Sequence, residues 1–151
     1  MTVRQVFGRI VITSVTISLG VLMFHACTAS LRASGATVYQ FFHAVGVGDA
    51  PAACHLLSGA ALAKFQARAH ATSCEAAVTL VHRGLTPAKR EELVTGEPDV
   101  QEYITAVRLD FSTRREITFD PNPLGMEYIV LADHEGRETI SDWGWDVREL
   151  S

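Results

Sequence analysis

The sequence predicts an α+β domain behind an N-terminal transmembrane or signal helix, with helices first and antiparallel strands last. Three observations carry this reading. Residues 10–28 form an uncharged, near-continuous apolar run. After it, apolar residues recur at helical spacing through the first half of the chain, and alternate with polar ones in the second half. Helices grouped ahead of strands are the pattern of α+β folds, whereas strictly alternating β and α units build parallel sheets.

The run 10–28 is close to the roughly 20 residues that a spanning helix needs. It reads as an uncleaved signal anchor. Two alternatives stand beside it: a cleaved secretory signal, and a lipoprotein signal with Cys27 as the acylated residue after Phe24, His25 and Ala26. Arg4 and Arg9 precede the run and no acidic residue does, so residues 1–9 are expected in the cytoplasm and everything beyond the run outside it. Residues 29–36 are small and polar, a short linker. Residues 37–151 are expected to be one extracytoplasmic domain of ordinary size.

That outer part is acidic. Of 13 Lys and Arg, Arg4, Arg9 and Arg32 precede residue 33, which leaves 10 against all 17 Asp and Glu, a net charge of −7. Such a surface repels phosphate backbones, and no nucleic-acid partner is expected. With Cys27 set aside, Cys54 and Cys74 are an even pair. Outside the cytoplasm they are expected to bond to each other; two buried free thiols are the alternative. A zinc site would need Cys or His partners at ligand spacing, and none accompanies them.

The helices follow in order. Val38, Phe41, Phe42 and Val45 make one apolar helix face, and Gly46 and Gly48 are expected to end that helix. Asp49 stands as an N-cap before Ala50 and Pro51, opening a second helix through Cys54, Leu56 and Leu57. Ser58 can cap a continuation through Leu62 and Phe65. Thr72 and Glu75 have capping-box spacing. The helix after them runs through Ala77, Val78, Val81 and His82 and stops at Gly84, and Thr86-Pro87 opens one short helical turn that ends before Gly96.

The strands come next. Ile104, Ala106, Arg108 and Asp110 alternate with Thr105, Val107, Leu109 and Phe111, the second set facing the core. Arg115–Phe119 alternates again. Residues 120–125 form a loop, 126–132 a strand, and 133–136 a hairpin loop with Gly136 in the φ > 0 position. Residues 138–147 return as the last strand, carrying Ile140, Trp143 and Trp145 on its way.

Certain segments carry a further likeness: Phe41-Phe42-His43-Ala44-Val45, Gly48-Asp49 opening a helix, Ala53-Cys54-His55-Leu56-Leu57-Ser58, Cys74-Glu75-Ala76-Ala77, and the closing hairpin with its Trp residues. On these segments, residues 36–150 resemble the nuclear transport factor 2-like superfamily. It is also called ketosteroid-isomerase-like, a cystatin-like α+β group, and the likeness is to its small exported actinobacterial members, many of unknown function. The resemblance implies helices packed into the concave side of a curved, cone-like antiparallel sheet. It implies a fold far better than an activity.

Catalytic members of that superfamily use an Asp or His inside the cone, beside an apolar pocket. The candidates here are Asp110, Glu116, Tyr39, His43 and Tyr128, and the side chains expected about a pocket are His43, Asp110, Tyr128 and Trp143. No catalytic set is complete. Gly46-Val47-Gly48 follows a helix and lacks the strand context of a dinucleotide loop. His55 neighbours Cys54, but adjacent helical residues point about 100° apart, and a disulfide leaves no thiolate. His70 and His82 show no paired-ligand spacing. No cofactor or metal is implied.

The sequence therefore points to a membrane-tethered, extracytoplasmic binding or accessory domain without catalytic activity. An envelope protein or a small apolar ligand would meet its sheet face or the mouth of its cone. The alternative is a cone-pocket enzyme of the isomerase or dehydratase type, which requires an acid turned inward.

Overall fold

The apolar stripe of the first helix and the alternation of the strands meet in one core. The computed structural model describes residues 35–95, 104–109 and 114–144; residues 10–28, Tyr103, Asp110, Phe111 and Trp145 lie outside them, as do the side chains of Thr105 and Leu109. The described residues form an α+β arrangement of five helices on a four-stranded antiparallel sheet. No helix among the described residues is long and apolar enough to cross a membrane.

Helix α1 (residues 35–47) fully buries Val38, Phe41, Phe42 and Val45. It ends in a Schellman turn: Gly48 N–H donates to Val45 O (3.2 Å) and Asp49 N–H to Ala44 O (2.8 Å). Gly48 supplies the left-handed conformation, φ +78°. Gly46 does not end the helix. It lies inside α1 where another helix crosses, and a Cβ there would stand 2.8 Å from Leu93 Cβ.

Helix α2 (Ala50–His55) opens as expected, with the Asp49 carboxylate accepting from Ala52 N–H at 3.1 Å. Leu57 then bridges in parallel to Ile140. Helix α3 (Gly59–Arg68) has Ser58 at its N-cap position, but that hydroxyl makes no cap bond; it pairs with the Thr139 hydroxyl at 2.8 Å. Helix α4 (Cys74–Gly84) is capped by Ser73, not Thr72, through Ala76 N–H. Ala76 then occupies the position where a capping box needs Glu or Gln. Helix α5 (Pro87–Val94) is longer than one turn, with Thr86 accepting from Lys89 N–H. Cys54 and Cys74 are bonded, Cα atoms 5.9 Å apart, and join α2 to α4.

Strands β1 (Ile104–Leu109), β2 (Arg115–Phe119), β3 (Tyr128–His134) and β4 (Arg137–Gly144) pair in chain order. Val107, Ile117, Ile129 and Trp143 are neighbours across the sheet and form one row of the helix-covered face. Two bulges break the expected alternation. The irregularity between Ile104 and Ala106 lets Ile104 and Val107 both pack on the core, although Ile104 was expected on the other face. The shift opposite Val130 and Leu131 makes Ser141 an extra residue, so Ile140 and Trp143 are both buried at a spacing of three. The β3–β4 hairpin turns on Glu135 and Gly136, both at positive φ (56° and 77°), so the strands run further than the sequence suggested, to His134 and from Arg137. The β2–β3 loop is braced by Asn122, whose amide oxygen accepts from Met126 N–H and whose amide nitrogen donates to Met126 O.

Candidate functional site

Aromatic side chains fill the space between sheet and helices. Phe41 packs on Phe65 (ring centroids 5.8 Å), Phe65 on Trp143 (5.9 Å) and Phe42 on Phe119 (5.8 Å). The Trp143 indole N–H donates to Ala61 O at 3.0 Å, which fixes the ring. The buried polar residues among those described are Thr37 and Thr139. Thr37 donates to Glu138 (2.8 Å), which also takes a hydrogen bond from Arg115. Both threonines thus have partners, as buried polar groups require.

Of the expected pocket residues, the three that are described, His43, Tyr128 and Trp143, are not brought together. Trp143 is a core side chain, not half-buried at a rim. Tyr128 is buried on the opposite face of the sheet, its ring lying over Gly144, where a Cβ would meet Tyr128 Cε1 at 2.6 Å. His43 lies on the α1–α2 surface, its ring 5.7 Å from that of Tyr39. Glu116 is on the outer sheet face, in register with Arg108 and Val130. Asp110 lies outside the described residues.

Two other histidines, His82 and His55, have structural partners. His82 Nδ1 meets Val45 O at 3.1 Å, and its ring lies beneath Gly48, holding α4 to the end of α1. Arg137 donates to Nε2 of His55, which ties α2 to the β3–β4 hairpin. The Cys54–His55 couple is absent as chemistry because Cys54 is in the disulfide. No group of three or more His, Cys, Asp or Glu among the described residues is placed to hold a metal ion.

Three hollows stand out among the described residues. The first, about 410 Å³, is an open groove between α1 and α2 with Tyr39, His43 and His55 on its sides and Ala44 and Leu56 below. The second, about 150 Å³, lies between α3, α4 and the β2–β3 loop, walled by Phe65, Val81, Leu85, Leu124, Met126 and Trp143. Arg68 stands at its edge with its guanidinium 5.8 Å above the Trp143 ring, a cation–π distance. Burial lowers the Arg68 pKa from its ordinary value, though an arginine remains charged. The third, about 540 Å³, lies on the outer sheet face. At the C-terminal part of that sheet, Lys64 bridges to Asp142 at 2.7 Å, and this hydrogen bond raises the Lys64 pKa against the opposing effect of burial.

Sequence reasoning missed the second and third hollows as sites. The walls of the second come from four separate elements, and their apolar residues read simply as core. Its one chemical signal was Arg68, an arginine on the helix that also carries Phe65.

Comparison of the chain with protein-family models, with curated proteins and with solved structures finds no match.

Proposed function

We propose that this chain is a membrane-tethered, extracytoplasmic accessory domain that binds without catalysing, with its small-ligand site in the pocket between α3, α4 and the β2–β3 loop. The observation that carries this reading is the packed interior. Aromatic rings fill the space between the sheet and the helices, and a cone-pocket enzyme would need that space for a substrate and an acid. Beside this packing, between α3, α4 and the β2–β3 loop, a small and mostly apolar recess stays open. Its volume, about 150 Å³, matches a cavity that accepts a benzene-sized guest. A preformed, mostly apolar hollow with one polar group at its edge is the usual form of a small-molecule site. The isomerase or dehydratase reading needs an inward acid, and Glu116 faces the other way.

The test is a titration of the purified domain with indole, followed through the methyl resonances of Met126, Leu124 and Leu85. The expected result is saturable shifts confined to these methyls, lost when Leu85→Phe fills the recess. Shifts that spread over the surface without saturating, or that survive Leu85→Phe, would overturn the assignment.

A further inference from the structure

The sheet's outer face carries the second row of the register. Arg108, Glu116, Val130 and Asp142 are neighbours from β1 to β4. They floor the groove of about 540 Å³, with Arg114 and Ser141 beside them. Gly59 and Ala60, at the start of α3, bring little side chain to its wall, and a Cβ added at Gly59 would meet nothing within 4 Å.

The charges in this groove run against those of the chain. The sequence beyond residue 32 is strongly acidic, yet here two arginines stand together and neither forms an ion pair with a described residue. Asp142 is already neutralised by Lys64 at 2.7 Å. Glu116 stands opposite Arg108 across the strand pair, without a salt bridge between them. Among the described residues the groove is therefore a positive island that retains one acceptor carboxylate.

We propose that this groove is a docking site for an acidic segment of a protein partner, an extended peptide bearing Asp or Glu side chains. Arginine forks bind carboxylates with two parallel hydrogen bonds. The Glu116 carboxylate accepts from N–H donors such as a peptide's, and the Ser141 hydroxyl, which donates to Val130 O at 3.1 Å, keeps its lone pairs for another. Val130 offers an apolar floor for a side chain between two carboxylates. The net negative charge of the domain disfavours an acidic partner on average, so the groove sets orientation as well as contact.

The experiment measures binding of a labelled, end-blocked octapeptide of alternating Glu and Val to the full chain in detergent micelles, by fluorescence anisotropy. A Gln-for-Glu peptide and inorganic phosphate serve as comparison probes. The expected result is saturable binding that weakens with salt, at least ten-fold weaker for the Gln peptide and for the Arg108→Gln, Arg114→Gln double variant. Arg83→Gln, on α4, retains it. Near-UV circular dichroism of the double variant separates lost binding from lost folding. Three results would each overturn the proposal: no binding of the Glu peptide, displacement by phosphate as effective as by unlabelled peptide, or self-association that the double variant abolishes. The last would make the face an interface between two copies of the chain.

Discussion

The indole of Trp143 faces the helices because Ser141 is an extra residue in β4, and strict alternation from Ile140 would have turned it outward. Once inside, it packs edge-on to Phe65 and donates to Ala61 O. Trp143→Phe is expected to lower stability by about 1–3 kcal/mol, through lost ring contact and the lost bond to Ala61 O. Trp143→Ala should cost about 3–5 kcal/mol. Urea unfolding measures both, and equal stability of the Phe variant and the parent would mean that the indole nitrogen contributes nothing. On the other face, Gly144 lies under the Tyr128 ring, with ring carbon and hydroxyl both under 3 Å from where a Cβ would be. Gly144→Ala is therefore expected to destabilise by about 1–3 kcal/mol, the usual range for overpacking. Pairing it with Tyr128→Ala should cost less than the sum of the two single changes, since the clash is gone. These two residues also show why the candidate site was hard to read. Tyr128 and Trp143 both look like aromatic strand residues with ligand-facing potential, but register places them on opposite faces, and register is not written in either residue.

The elements themselves were legible where a pattern repeats. Val38, Phe41, Phe42 and Val45 announced α1, Asp49 with Pro51 announced α2, and Gly136 announced the hairpin. What escaped was information held by a partner element. Gly46 resembles a stop signal in sequence, and only the crossing of α5 shows it to be a point of close approach, with Leu93 Cβ, Val94 Cγ2 and Arg90 O around the missing Cβ. Gly46→Ala is a sharp test because two effects have opposite signs. Intrinsic propensity favours Ala over Gly by about 1 kcal/mol in a helix interior. The clash must push α5 from α1, at a cost of about 1–3 kcal/mol. A net loss of stability, measured by urea unfolding, with faster amide exchange in α5 is expected; a net gain would show that α5 yields freely. Ser58 escaped for the same reason. Its hydroxyl has a choice between the first turn of α3 and Thr139, and the bridge that seats Leu57 beside Ile140 decides it. The outer groove was equally hidden, because Arg108 and Arg114 are scattered charges until strand pairing lines Arg108 up with Glu116, Val130 and Asp142.

At the scale of the whole molecule, the disulfide and the proposed tether answer one question, where the chain folds. Helix α2 has six residues, too few to be stable alone. It is held by the bond to Cys74, by Arg137 on His55, and by the Leu57 bridge that follows it. Closing a loop over a separation of 20 residues restricts the unfolded chain by about 3 kcal/mol. Cys54→Ser with Cys74→Ser should therefore lower the melting temperature by roughly 10–20 °C for a domain of this size. A shift of a degree or two would mean that the other two ties suffice. That bond persists only in an oxidising compartment, which is also where positive-inside orientation of residues 10–28 would deliver the domain. The two inferences are independent in origin and can be read in one measurement, the intact mass of the protein purified from its native membrane. A full-length mass that gains two hydrogen atoms on reduction is the expected outcome. A mass beginning near Ser30, or at an acylated Cys27, would reject the anchor while keeping export. No gain on reduction would leave the cysteines free in the cell, and the argument for an oxidising location would then rest on the apolar run alone.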